Sequence, residues 1–460
     1  YWMADPVMSV RGADRTAPKI GVFDATMLVM GGIVGAGIFS NPSVVAKMVH
    51  SGLLMMVVWS IGGVIALAGA FVYAELAARH PATGGHYAYM RDAFHPAVAF
   101  MFGWAILLVV QTGGIAAVSV IFARYFLAVV PLKLSETTVA VLALALLTGI
   151  NCANLKAGNR TQSLFMVLKV IALVAIIGCG IAIMSHGTGS TTMTGTMPEH
   201  PWRALAAAFT PVMFAYGGWQ TASFAAGDMR NPARDLSRAM LYGVVGVVAL
   251  YLAVNAAFLL ALGADGLAST VTPAAAVVDH VSSRMHIGAE AIAACIALST
   301  FGFLSQGMFA TPRVYQAMAA DGLFFKVIAR ISPRSHTPVT AIALQGTLCA
   351  IVAASGSYES IMSYVTSVDF IFYGLAALAL FIFRARDRNR VGAVGYTVPG
   401  HPWTTGFFMI ASWIVVGTTI YSDPRHSLIG ISALCLGVPT YFVWMKVRKG
   451  DPKIVPRLLD

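Results

Sequence analysis

Apolar residues in this chain come in runs of about twenty or more, separated by short polar connections, from near residue 22 almost to the end. A helix rising about 1.5 Å per residue needs that length to cross roughly 30 Å of hydrocarbon. Such a segment must satisfy its backbone polar groups internally, and the alternating pattern of a membrane barrel is absent. The pattern predicts an all-α membrane protein with twelve transmembrane helices, over residues 22–46, 52–78, 96–129, 136–155, 162–185, 203–226, 238–263, 286–317, 338–355, 359–384, 404–421 and 426–446.

An even number of crossings puts both termini on one side. Of the 30 Lys and Arg residues, 23 lie on loops and helix ends of that side, 6 on the other, and one, Lys169, inside a span. Basic residues are retained on the cytoplasmic face, so both termini are expected there, in a multi-pass protein of the plasma membrane. The first apolar run is too long for a signal-peptide core and is expected to remain as a span. The longest polar connections, around 186–202, 264–285 and 319–337, hold no soluble domain. Whatever chemistry the protein performs must sit among its helices.

Composition narrows the class further. Of 460 residues, 58% are hydrophobic and 11% charged, with a mean hydropathy of +0.76, far from the balance of a soluble domain. The net charge of +11 is spread over seven cytoplasmic segments rather than gathered on one face. That dispersal points to anionic lipid headgroups and away from nucleic acid. The five cysteines lie in or at the ends of apolar runs without a C-x-x-C pair, and read as small buried hydrophobes. No H-E-x-x-H, G-x-S-x-G or pair of catalytic carboxylates occurs in a span, so no enzyme activity, cofactor or metal is expected. A channel would want a continuous polar pore, whereas here the polar features converge on one mid-membrane spot.

That spot is marked by glycine. The first span contains Gly31-Gly32-Ile33-Val34-Gly35-Ala36-Gly37-Ile38-Phe39, and the sixth contains Phe214-Ala215-Tyr216-Gly217-Gly218-Trp219. Each glycine costs about 1 kcal/mol against alanine in a helix interior, so these turns are cheap to unwind. Gly31 and Gly35 alone would also suit close helix packing. The second interruption, five spans later, favours unwinding, because an odd number of crossings makes two inverted halves with breaks in matching places. The N–H groups near Gly35, Ala36 and Gly37 would form a small positive site suited to a carboxylate. Carbonyls around Ile33, Phe214 and Ala215 would suit an ammonium. Together they describe the charged ends common to all amino acids.

These residues, with Ala74-Glu75-Leu76 followed by Pro81, Gly84, Gly85 and Tyr87, Asn231-Pro232-Ala233-Arg234-Asp235 with Arg238, and Arg313 with Asp321-Gly322, carry a family likeness. Over about 20–447 the sequence resembles the amino acid/polyamine/organocation superfamily of transporters, and within it the L-type amino acid transporters. The resemblance implies a leucine-transporter-like fold of two inverted five-helix repeats, with helices 1 and 6 discontinuous. The expected layout is a cytoplasmic segment at 1–21, repeats at 22–185 and 203–384, two further helices within 404–446, and a cytoplasmic tail at 447–460. It further implies alternating access, with substrate held at Ile33, Gly35, Ala36, Gly37, Phe214, Ala215 and Gly217. Phe214 would act as a lid; Gly217 and Trp219 would shape the side-chain pocket, Trp219 joining Phe214 in gating.

Two intramembrane charges remain. Lys169 is about eight residues from the cytoplasmic end of its span, roughly 12 Å, farther than its side chain comfortably reaches, so it is expected to face the bundle interior. In the resembled family a lysine here lies where sodium-coupled relatives hold their ion. Sodium-independent transport follows. Whether that lysine stays charged or cycles a proton separates exchange or facilitated passage from proton symport. None of the eleven histidines falls mid-span, which makes histidine a poor proton relay. Asp369, in the tenth span, departs from the L-type pattern. Either it pairs with Lys169 or Arg124, or it faces the pocket as a carboxylate favouring cationic substrate ends. Gln220 and Asp228 are milder departures, and Glu290 reads as solvated. The expected function is sodium-independent exchange of neutral amino acids, with cationic amino acids, polyamines or proton-coupled uptake as alternatives. Neither an accessory subunit nor a homo-oligomer is specified by the sequence.

Overall fold

The computed structural model describes residues 21–80, 85–153, 159–185, 197–219, 229, 231–281, 286–312, 315, 318–319, 324–325, 327–328, 330–332, 337–387 and 395–448. Pro81, Gly84, Gln220, Asp228, Arg313, Asp321, Gly322, the segment before residue 21 and most of the tail lie outside the described residues.

The first apolar run folds as two helices, α1 (Val22–Ile33) and α2 (Gly37–Val49). Next come α3 (Gly52–Arg79) and a short helix absent from the predicted spans, α4 (His86–Ala93). The third predicted span is α5 (Pro96–Ala105) and α6 (Gln111–Val129), joined through a π-helical turn at Ile106–Val110. After them follow α7 (Glu136–Cys152), α8 (Asn159–Ser185), α9 (Pro201–Tyr216) and α10 (Pro232–Ser269). Gly263 turns α10 at φ 68°. The connection expected at 264–285 therefore continues as helix and includes α11 (Pro273–Val281). The remainder is α12 (His286–Ala310), α13 (Val339–Ser355), α14 (Tyr358–Arg386), α15 (Trp403–Ser422), α16 (Pro424–Cys435) and α17 (Gly437–Arg448). Ser51, Ser135, Ser357 and Asp423 each accept a backbone N–H at a helix start, and proline opens α5, α9, α10 and α16, where its missing N–H costs nothing.

Among the described residues, eight stretches are long and apolar enough to cross a membrane: α1–α2, α3, α5–α6, Arg234–Ser269, Gly288–Ser305, α14, α15 and Pro424–Lys446. Glu136–Cys152, Lys169–Ser185 and Val339–Ser355 are apolar but shorter. α10 packs along α3 and α1, α12 along α6 and α8, and α14 against α15 and α16. On α8 the exposed positions Ile171, Val174, Gly178, Ile181 and Met184 recur every three or four residues, a lipid-facing stripe that leaves Lys169 on the opposite, inner side. The described cysteines are all free; Cys349 is buried, Cys435 is exposed against expectation, and the other three lie between.

Where α3 and α14 terminate together, the motif residue Glu75 is completely buried. Its carboxylate accepts two hydrogen bonds from Arg384, at 2.8 and 2.6 Å, one from Arg79 at 2.7 Å and one from the Val398 N–H at 2.6 Å. Arg79 also pairs with Asp387 at 3.0 Å. A fully satisfied ion cluster of this kind ties two long helices and the segment before α15 together.

Candidate functional site

At both predicted glycine stretches a helix ends, and the two ends face each other; residues 220–228, after the second, lie outside the described residues. α1 ends at Ile33; Val34 leaves helical geometry at ψ 72°, its N–H still reaching the Met30 carbonyl at 2.7 Å. The Gly35 N–H turns back to the Ile33 carbonyl at 2.7 Å. Helix α2 restarts with Ala36 as its cap, so the first-turn N–H groups after it, Gly37 and Ile38, have no carbonyl of a preceding turn to bind. The main-chain N–H groups at this helix start are thus those of Ala36, Gly37 and Ile38, while Gly35 shapes the turn with its own N–H engaged.

Helix α9 ends at Tyr216, Gly217 adopts extended backbone, and its N–H contacts the carbonyls of Met213 and Phe214 at 3.0 and 3.3 Å. Gly218 sits at φ +110°, and a Cβ there would lie 2.2 Å from the Gly32 carbonyl oxygen. Only glycine permits that backbone and that approach. The same closeness holds at Gly37, where a Cβ would meet Ala215 at 3.1 Å.

A residue that the glycine pattern did not signal joins the two breaks. The Tyr251 hydroxyl, from the middle of α10, donates at 3.1 Å to the Ile33 carbonyl and lies 3.3 Å from the Ala215 carbonyl. One O–H shared between the two interrupted strands of main chain brings both carbonyls to a single point. A phenol in mid-span must find an acceptor, which is the signal that could have drawn attention to it. Asn41 does a similar service farther along α2, its amide donating to the Pro211 carbonyl at 2.6 Å and accepting from Tyr358 at 2.6 Å. Tyr125 holds the Phe39 carbonyl at 2.6 Å.

The predicted side chains distribute around this core. Phe214 is half-buried and meets the Tyr358 ring edge-on, with centroids 6.4 Å apart. Trp219 is fully buried, stacked on Tyr373 at 5.0 Å and edge-on to Phe408 and Tyr73. Lys169 is buried, and its ammonium lies 4.7 Å over the ring of Phe303. Phe303 in turn lies 3.8 Å from where a Gly35 Cβ would stand. The lysine therefore backs the first break through an aromatic face, the second contact that the sequence did not disclose.

The expected pairing of Asp369 with Lys169 or Arg124 does not form. Arg124 instead binds Glu136 at 2.8 Å and lies over the Tyr358 ring at 5.4 Å. Helix rotation decides this, because it turns both cations to partners on other elements. His86, outside every predicted span, is fully buried all the same, with Tyr73 at 3.1 Å and the Phe372 carbonyl at 3.2 Å. Glu290 is exposed at the start of α12, as expected. Among the described residues no three His, Cys, Asp or Glu side chains are grouped to hold a metal.

Comparison with known proteins accords with this arrangement. The human cystine/glutamate transporter is 27% identical over 436 residues, covering 93% of this chain and 85% of its own length. The mouse large neutral amino acids transporter small subunit 2 is 27% identical over 92% of this chain and 80% of its own. For the human b(0,+)-type amino acid transporter 1 the identity is 26%, over 94% and 89% respectively. Residues 20–438 match the amino acid permease family model. With two broken helices meeting inside an apolar bundle, and a family match over nearly the whole chain, this protein belongs to the amino acid permease family: it is a membrane transporter and not an enzyme.

Proposed function

We propose that this protein is a sodium-independent secondary active transporter of neutral amino acids, exchanging one for another across the plasma membrane by alternating access. The observation that carries the reading is the meeting of the Ile33 and Ala215 carbonyls at Tyr251, together with first-turn N–H groups of α2 that have no helical acceptor among the described residues. Carbonyls take an ammonium and helix N-terminal N–H groups take a carboxylate, so main chain alone can bind the α-amino and α-carboxyl groups. In this reading Ile33, Ala36, Gly37 and Ala215 bind the charged ends, Gly35 and Gly217 set the geometry, Phe214 covers the substrate and Trp219 braces the pocket floor. Twelve spans in two inverted repeats, 22–185 and 203–384, with both termini cytoplasmic, provide the rocking scaffold. The buried ammonium of Lys169 stands where a sodium ion would be repelled. The relatives' names support amino acids as cargo, and "small subunit" in one of them supports an accessory partner subunit.

Purified protein in liposomes loaded with unlabelled alanine or leucine should accumulate the labelled amino acid faster than empty liposomes do, saturably, and equally well when choline replaces sodium. Linear, unsaturable flux would refute a carrier, and a steep sodium dependence would refute the role given to Lys169.

A further inference from the structure

Helix α14 carries one stripe of partly covered positions. Between Ile361 and Phe383, the positions that are not buried are Tyr364, Ile371, Leu375, Leu378 and the adjacent pair Phe381 and Ile382, each three, four or seven residues from the one before apart from that pair, with one exception. That exception is Asp369, half-buried yet roughly 140° around the helix from the stripe at about 100° per residue. A side chain accessible on the inner face of a helix opens onto a space inside the bundle. Thr366 and Tyr373 share that face within about 60°.

Two contacts fix what the face looks at. Upstream, Tyr358 packs on Phe214. Downstream, Tyr373 stacks on Trp219, and its hydroxyl is 4.0 Å from where a Cβ on Gly217 would stand. Asp369 lies between the two tyrosines, so it faces the α9 break between Phe214 and Trp219. The Asp369 carboxyl lies beside the Tyr373 and Tyr73 hydroxyls, with the Gly218 main chain also next to Tyr373; the Thr366 hydroxyl is buried without a hydrogen bond, and that of Tyr373 without a well-formed one beyond these neighbours, among the described residues. Asp369 makes no ion pair among the described residues either, Arg124 being held by Glu136. Buried polar groups left this way are rare in folded proteins and mark places where a further hydrogen-bonding partner belongs.

We propose that Asp369, together with the Thr366 and Tyr373 hydroxyls, binds the side chain of the transported amino acid and selects side chains that end in a hydrogen-bond donor. The proposal rests on the zwitterion reading above: main chain holds the charged ends, and this stripe reads what projects from them. A carboxylate in this place disfavours a purely apolar side chain, which would bury it without a partner.

The test compares side chains of matched shape. The thermal midpoint of the purified protein is followed against concentration for L-threonine with L-valine, L-asparagine with L-leucine, and L-lysine with L-norleucine. The donor-bearing member of each pair should stabilise at about tenfold lower concentration or better, and Asp369→Leu should erase the difference by raising the concentration needed of the donor-bearing member. Equal potency within pairs in the wild-type protein overturns the proposal, as does an Asp369→Leu variant that weakens both members alike; the wild-type comparison decides even if that variant fails to fold. Stabilisation by amino acids without preference removes only this inference, whereas no response to any α-amino acid removes the zwitterion reading with it.

Discussion

Glu75 and Asp369 are both carboxylates inside the same bundle, treated in opposite ways. Glu75, where α3 and α14 end, receives four hydrogen bonds, from Arg384, Arg79 and a backbone N–H. Asp369, midway along α14, has no cation among the described residues, and Lys169 faces only an aromatic ring. The first region spends its charges on one another and so becomes a fixed anchor. The second leaves its charges open around the two broken helices, as a binding site must if its partner comes and goes. On the proposed reading, stability is concentrated in one place and substrate binding in the other.

This contrast can be broken most sharply at Glu75. Glu75→Ala takes the shared carboxylate from two half-buried guanidinium groups, leaving Arg79 only Asp387, and should cost about 3 kcal/mol, seen as a large fall in thermal midpoint or loss of folded protein in detergent. A midpoint within a degree or two of wild type would show that the knot is not an anchor. Lys169→Met should act in the other direction on stability and abolish transport: a buried charge with no ion pair among the described residues is removed, so the midpoint holds or rises, by about 1 kcal/mol. If this variant unfolds as readily as the Glu75 one, the two regions are not distinct. The smallest effect is expected for Tyr251→Phe, which removes one shared hydroxyl from the Ile33 and Ala215 carbonyls. About 1 kcal/mol, or roughly fivefold in half-saturating substrate, should be lost with the midpoint little changed. Unaltered uptake would mean that the convergence of the carbonyls does not depend on this hydroxyl.

Much of the site was legible before any coordinates. Both glycine breaks lie where the spacing of Gly35 and Gly217 put them, since a helix propensity deficit of about 1 kcal/mol per glycine is a local property. Lys169 was legible as inward-facing for the same kind of reason: an ammonium in an apolar run has few places to go. Asp369 shows the limit. Its charge was noticed, but the pairing expected for it failed, because Arg124 is turned toward Glu136 and Lys169 toward Phe303. His86 was passed over for lying outside the spans, yet α4 carries it into the interior beside Tyr73. Cys435 was read as buried from its apolar surroundings and faces outward, since an apolar run in a membrane protein does not say which side meets lipid.

The sequence by itself determined that this chain crosses a membrane as helices and at which glycine stretches two of those helices stop. These follow from composition and glycine placement within a turn or two of chain. Only the tertiary structure decided the partners: Tyr251 reaches Ile33 across 218 positions and Ala215 across 36, and Tyr358 reaches Asn41 across 317. Such contacts depend on how each helix is rotated about its axis. That rotation is set by the packing of all its neighbours together, and no short stretch of residues encodes it.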